Sequence, residues 1–294
     1  MRKALGLAAA LVVASLISVA VAQSRRVPLP ALEQITRALN EGRYDEVPAL
    51  AAALDAQDPT VAALVGRAGV ARGKYDEAMA QLKPVADRAP ASDAALEYGL
   101  LLQTLGRAEA TAVLERIAGT AQTASTPSDL ARAARALRAL DRPYEANAAY
   151  RDATAMAPRE VAINTAWGDL FLERFLNGEA SRSYQAALRL DARSTAAMVG
   201  MARALANDNP PEAAKLAQQA LEINPSHVGA LVFLAGEAAD AGRRDDARKR
   251  LDKALQVNPS SLDGRSLLAA LNYLEDKRAE FDAEVGRVLA INPK

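Results

Sequence analysis

The feature that most constrains this chain is a recurring spacing of small and apolar residues that runs up to a proline. Ala146, Tyr150, Ala153 and Pro158 follow one another at steps of four, three and five. The same steps join Ala213, Ala217, Ala220 and Pro225, and again Ala247, Leu251, Ala254 and Pro259. Further copies are Val47, Ala51, Leu54, Pro59; Ala78, Leu82, Val85, Pro90; and Phe281, Val285, Val288, Pro293. A seventh, Ala180, Tyr184, Ala187, has Ala192 in the proline's place. Steps of four and three put these residues on one face of a helix. Proline then ends the helix, because it has no amide donor and disfavours helical backbone in the residue before it. The stops recur at about 34 residues or twice that, the mark of a repeat array. Three of them, Ala220–Pro225, Ala254–Pro259 and Val288–Pro293, are near copies in which Asn224, Asn258 and Asn292 precede the proline.

Upstream of the stripe lies a turn. Gly42-Arg43-Tyr44-Asp45-Glu46-Val47 and Gly73-Lys74-Tyr75-Asp76-Glu77-Ala78 are almost the same hexapeptide. Gly42, Gly73, Gly106 and Gly242 are each suited to close a first helix in the left-handed conformation. The acids that follow favour the start of a second helix, where the dipole is positive. Each unit is therefore expected to be helix, turn, helix, stop.

This order of Gly, Ala-x3-aromatic or aliphatic, Ala and Pro resembles the tetratricopeptide repeat (TPR) family. The first-helix part of that pattern is present as Val65-Gly66, Tyr98-Gly99, Trp167-Gly168 and Val199-Gly200, with Ala235 and Ala269 replacing the glycine later. The resemblance implies an all-α, right-handed superhelical solenoid of about eight helix-turn-helix units. Their approximate bounds are 28–61, 62–91, 92–126, 127–160, 161–193, 194–227, 228–261 and 262–294. The unit 92–126 is the weakest, since Gly119–Thr126 replaces its stop and reads as a longer loop.

The resemblance also implies a function: first helices line a concave groove that receives a segment of another polypeptide, in an adaptor or assembly role. Carried onto this chain, Arg135, Arg138, Thr165, Asp169, Asp240 and Tyr273 fall where family helices look into the groove. Arg132, Arg135 and Arg138 share one face, which reads either as a clamp for a carboxylate or acidic peptide or as a solvated face beside Asp129 or Asp141. The family's Lys and Asn carboxylate clamp has no counterpart here.

Composition narrows the chemistry. The chain has no cysteine, which excludes disulfides and thiolate sites, and a single histidine, His227, which excludes a multi-imidazole zinc site. His227 follows a turn and reads as a surface residue, and Trp167 reads as core or groove lining. No phosphate-cradling loop or His-Glu-x-x-His helix is present. The expectation is a non-enzymatic chain without cofactor or metal. A net formal charge of zero gives no sign of nucleic acid as partner.

Residues 1–22 read as an export signal: Arg2 and Lys3, an apolar run from Ala4 to Val21, and a small-residue cleavage site ending at Ala22. The expected location is the periplasm or the outside of the cell, or the inner membrane facing the periplasm if the leader is retained as an anchor. The alternative is the repeat region of a larger envelope enzyme, such as a TPR-linked metallopeptidase, or of an export or assembly machine. The last helix would leave Val285, Val288 and Ile291 without a following helix, so a further domain, a homodimer or a partner is expected to cover them.

Overall fold

The computed structural model describes residues 29–294, in which it places sixteen α-helices and no strand. The proposed leader, residues 1–22, lies outside the described residues. In chain order the helices are α1 Leu29–Asn40, α2 Val47–Ala51, α3 Pro59–Ala71, α4 Tyr75–Arg88, α5 Asp93–Thr104, α6 Glu109–Ala118, α7 Pro127–Ala139 and α8 Pro143–Met156. They continue as α9 Val161–Glu173, α10 Asn177–Leu190, α11 Thr195–Leu205, α12 Pro210–Ile223, α13 Val228–Asp240, α14 Arg244–Val257, α15 Leu262–Leu274 and α16 Arg278–Ile291. Odd-numbered first helices pack on the second helix that follows, on the second helix before, and on the next first helix. That is the packing of a solenoid of helix pairs.

Local chemistry accounts for the boundaries. Ser92, Thr126, Ser194 and Ser261 each accept the amide two or three residues inside their helix, which satisfies a donor the helix itself leaves free. Gly42, Gly73, Gly106 and Gly242 take φ of 75°, 70°, 64° and 74° at the turns inside pairs. Asp141, Phe175 and Asp276 take the same left-handed backbone without being glycine. Pro59 differs from expectation: it opens α3, with Asp58 capping the helix, and the chain before it winds only through the short α2. The segment after α6 forms a 3-10 turn, Gly119–Gln122, before Thr126 caps α7.

The second-helix stripe is the core. Ala146, Tyr150, Ala153, Ala180, Tyr184, Ala187, Ala213, Ala217, Ala220, Ala247, Leu251 and Ala254 are all 0 % exposed. Its central member fits into a socket made by the glycine of a first helix. A Cβ on Gly66 would lie 2.8 Å from Leu82 Cδ1, on Gly99 2.9 Å from Leu114 Cδ2, and on Gly168 2.7 Å from the Tyr184 ring. Such approaches leave no room for a side chain.

The coil returns on itself. Turns inside the first three pairs meet the turns that end the last three, at separations of 180 to 188 residues, or about five and a half units of ~34 residues. Asn224 Nδ2 donates to Tyr44 Oη at 3.1 Å, Asn258 Nδ2 to the Val70 carbonyl at 3.2 Å, and Asn292 Nδ2 to the Thr104 carbonyl at 3.1 Å. Tyr75 Oη donates to the Ser260 carbonyl at 3.1 Å. The side-chain oxygens of Asn224, Asn258 and Asn292 press so closely on Gly42, Gly73 and Gly106 that a Cβ on any of the three would overlap them. Ile291 packs on the core formed by α3, α4 and α5, so the chain's own earlier turn covers part of what the sequence leaves open. Val285 and Val288 are half-buried.

Candidate functional site

Four first helices, α3, α5, α7 and α9, converge on one concave groove around a cavity of about 240 Å³. Its floor is apolar, with Ala63, Leu64, Leu96, Ala131, Ile163 and Ala166, and its walls are charged, with Arg67, Asp93, Arg132, Arg135 and Glu160. The sequence builds it this way because first helices bury one side against their second helices and leave the other facing the inside of the coil.

The charges form a ladder between neighbouring helices. Glu97 Oε1, on α5, accepts from Arg67 Nη2 at 2.7 Å and from Arg135 Nη1 at 2.9 Å. Burial alone would raise the Glu97 carboxyl, but Arg135 and Arg67 outweigh it and hold it below the usual range. Arg132 Nε donates to Asp93 at 2.7 Å, and its Nη1 to Asp129 at 2.8 Å and to the Ala91 carbonyl at 3.1 Å. Arg138 Nη1 donates to Asp169 Oδ2 at 3.1 Å and to the Ala166 carbonyl at 3.3 Å. Asp169 Oδ1 accepts from the buried Tyr184 hydroxyl at 2.8 Å. Burial and the neighbouring Asp169 push that hydroxyl's pKa far up, and burial pushes Tyr150 up to about 12.

These distances locate the residues singled out from sequence. Arg135, Arg138 and Asp169 belong to the ladder, together with Arg132. None of the three arginines stands as an uncompensated cation: each already holds a carboxylate of the same chain. Asp129 is a partner of Arg132, whereas Asp141 pairs with Arg174. Thr165 is buried and spends its hydroxyl on the Val161 carbonyl at 2.8 Å. Asp240 and Tyr273 lie on α13 and α15, away from this cavity; both are exposed, and Tyr273 packs on Phe281 with ring centroids 5.6 Å apart. Trp167 is half-buried, donates to Asn147 at 2.8 Å and lies against Phe171. His227 is corrected by the structure: it is half-buried and caps α13, its Nδ1 accepting from the Ala230 amide at 3.2 Å. Burial and Arg203 lower its pKa to about 4.

Arg67, Asp93 and Glu97 were missed by sequence reasoning. The signal lay in the repeat register, since Arg67 to Glu97, Glu97 to Arg135 and Asp93 to Arg132 span 30, 38 and 39 residues. Each step is near one unit, and charge alternates along it. The groove can present guanidinium donors and carboxylate acceptors to a ligand over an apolar floor. Among the described residues no group of three His, Cys, Asp or Glu is placed to hold a metal ion.

The geometry defines a class, an α-solenoid of paired helices with a charged concave face. Comparison supports the more particular family: the sequence profile described as Tetratricopeptide repeat matches residues 204–271. The fold is shared with the crystal structure of TTC0263, a thermophilic TPR protein of Thermus thermophilus. That comparison gives a TM-score of 0.53 and 20 % identity, covering 57 % of this chain and 93 % of that one. The crystal structure of MamA aligns with a TM-score of 0.42 and 19 % identity, over 53 % of this chain and 92 % of that one. No curated protein matches by sequence.

Proposed function

We propose that the chain is a non-catalytic scaffold that binds a segment of another polypeptide along the concave groove, in the periplasm or outside the cell after cleavage behind Ala22. The observation that carries the binding reading is the convergence of α3, α5, α7 and α9 on one groove whose apolar floor is flanked by a ladder of alternating charge. An apolar floor supplies contact area, and paired charges select among partners more than they add affinity. Arg135, Arg138 and Asp169 are the residues assigned to contact the partner, with Arg67 and Glu97 beside them. Arg67 keeps 41 % of its side chain exposed, so donors remain for a ligand.

The test is capture from envelope extracts by the immobilised protein, compared with an Arg135→Glu/Arg138→Glu variant. Loss of a specific band with helical circular dichroism intact is the expected result; an unchanged set of captured proteins removes the groove assignment. The location is tested by the intact mass of the native protein from separated periplasmic and membrane fractions. A soluble species below the 31.0 kDa of the full chain supports export and cleavage, and a full-length membrane species overturns it.

A further inference from the structure

We propose that the turn-to-turn contacts of the coil form a latch, and that the groove admits its partner only from an unlatched, opened coil. The inference rests on the reading of the groove as a partner site. Three plug-and-socket joints make the latch: Asn224 on Gly42 and Tyr44, Asn258 on Gly73 and Tyr75, and Asn292 on Gly106; Asn40, bonded to Arg193 and Thr195, adds a fourth contact between the start of the coil and its later turns.

The joints are built, and not incidental, because the glycines there do two jobs. A left-handed turn alone does not need glycine in this chain, since Asp141, Phe175 and Asp276 adopt it. Among the described residues, only at Gly42, Gly73 and Gly106 does an asparagine occupy the space of the missing side chain, whereas Gly242 faces open space. The Asn-Pro-Ser turns at 224–226 and 258–260 therefore match the Gly-x-Tyr turns at 42–44 and 73–75 as socket and plug.

In the closed coil the charges of the groove walls are spent on one another. Arg67 of α3 and Arg132 and Arg135 of α7 are tied to Asp93 and Glu97 of α5, which crosslinks three of the four helices that line the cavity. A polypeptide segment thus needs the walls to separate. The joints are where they part: each consists of a few amide and hydroxyl hydrogen bonds at turn tips, with Ile291 adding one apolar contact beside the third, while neighbouring pairs share extended apolar cores. Losing a joint shifts the closed–open balance by about tenfold.

The absence of native cysteine makes the test direct. Arg107→Cys and Lys294→Cys, both exposed and beside the third joint, carry spin labels for a distance measurement. In a separate background, Ala131→Cys in the groove is reacted with a small maleimide and with a bulky polyethylene-glycol maleimide. With the latch residues intact, the distance distribution should be short and narrow, and only the bulky reagent should react slowly. Asn40→Ala combined with Asn224→Ala/Asn258→Ala/Asn292→Ala should lengthen the distance and speed the bulky reagent by at least about tenfold, with far-UV circular dichroism preserved. Tyr75→Phe, which removes one hydroxyl from the second joint, is the milder variant and should move both readouts in the same direction. Unchanged distances overturn the latch. Longer distances with unchanged labelling overturn its control of the groove. Neither readout uses a partner, so both stand apart from whether the groove binds one.

Discussion

Gly200 and Gly236 sit in equivalent first helices, α11 and α13, and alanine at the two should act in opposite directions. A Cβ on Gly200 would enter the Tyr184 ring and lie 2.8 Å from its hydroxyl, whereas a Cβ on Gly236 meets nothing within 4 Å. The Tyr184 ring has nowhere to go. It is 0 % exposed, Gly168 bounds it on the other side at 2.7 Å from a Cβ position, and its hydroxyl is tied to Asp169 at 2.8 Å. Overpacking of this kind costs about 1–3 kcal/mol, and the better helix propensity of alanine returns up to about 1 kcal/mol. Gly200→Ala should therefore lose about 1–2 kcal/mol, while Gly236→Ala should gain about 0.5–1 kcal/mol. Thermal and urea unfolding followed by circular dichroism reads the sum, with about 2–4 °C per kcal/mol. Repeat arrays can melt in parts, so fluorescence of Trp167, the single tryptophan and the neighbour of Gly168, reports the local transition. Adding Tyr184→Leu to Gly200→Ala opens the socket, and the pair should be less harmful than the sum of its members by about 1 kcal/mol. A neutral or stabilising Gly200→Ala, or equal shifts at the two glycines, would refute the socket.

Three further substitutions probe the buried titratable groups. His227 has its folded pKa lowered to about 4 from 6.5, so the unfolded chain binds more protons between those values. Its contribution is present above pH 6.5 and disappears as the pH falls through the folded value. His227→Asn keeps a capping acceptor without the titration, and the wild-type advantage over it should shrink by about 2 kcal/mol from pH 7 to 4; a flat difference in urea unfolding across that range contradicts the assignment. Glu97→Gln leaves Arg67 and Arg135 facing each other without the shared carboxylate and should cost about 1–2 kcal/mol after allowance for the solvent reaching Arg67. Arg67→Gln should cost less, because Arg135 still holds Glu97, and equal losses in denaturant melts would mean that the ladder is not shared.

The fold was legible in sequence where one unit determines its own structure. The four-three spacing of Ala180, Tyr184 and Ala187 needs only a helix face, and Gly42 needs only the turn it closes. Pro59 misled because proline suits the first position of a helix as well as the residue beyond its end. Asp58 in the capping position decides between these, and its neighbour Pro59 therefore starts α3. His227 misled for a related reason: the same imidazole that looks idle after a turn becomes a cap once the next helix begins one residue later. The groove was legible as a place but not as chemistry. Arg135 and Arg138 show up as a stripe within α7, whereas the acids that neutralise them stand on α5 and α9 and become visible only when equivalent positions of adjacent units are compared.

The latch marks a different boundary. Asn224, Asn258 and Asn292 look like helix-ending residues, and the glycines opposite look like helix-closing ones; both local descriptions are true and neither brings the two together. Their meeting depends on the rotation accumulated over about five and a half units, and that rotation is set at each step by how closely one helix pair approaches the next. Gly200 controls such an approach through Tyr184 of the preceding pair, whereas Gly66, Gly99 and Gly168 set how closely the two helices of one pair lie, through Leu82, Leu114 and Tyr184. Alanine at Gly200 would therefore do more than strain its own pair: it would change the phase with which the later turns arrive at Gly42, Gly73 and Gly106. The small residues of the first helices thus tune both the core and the register of the coil, which couples local packing to whether the groove stands open or closed.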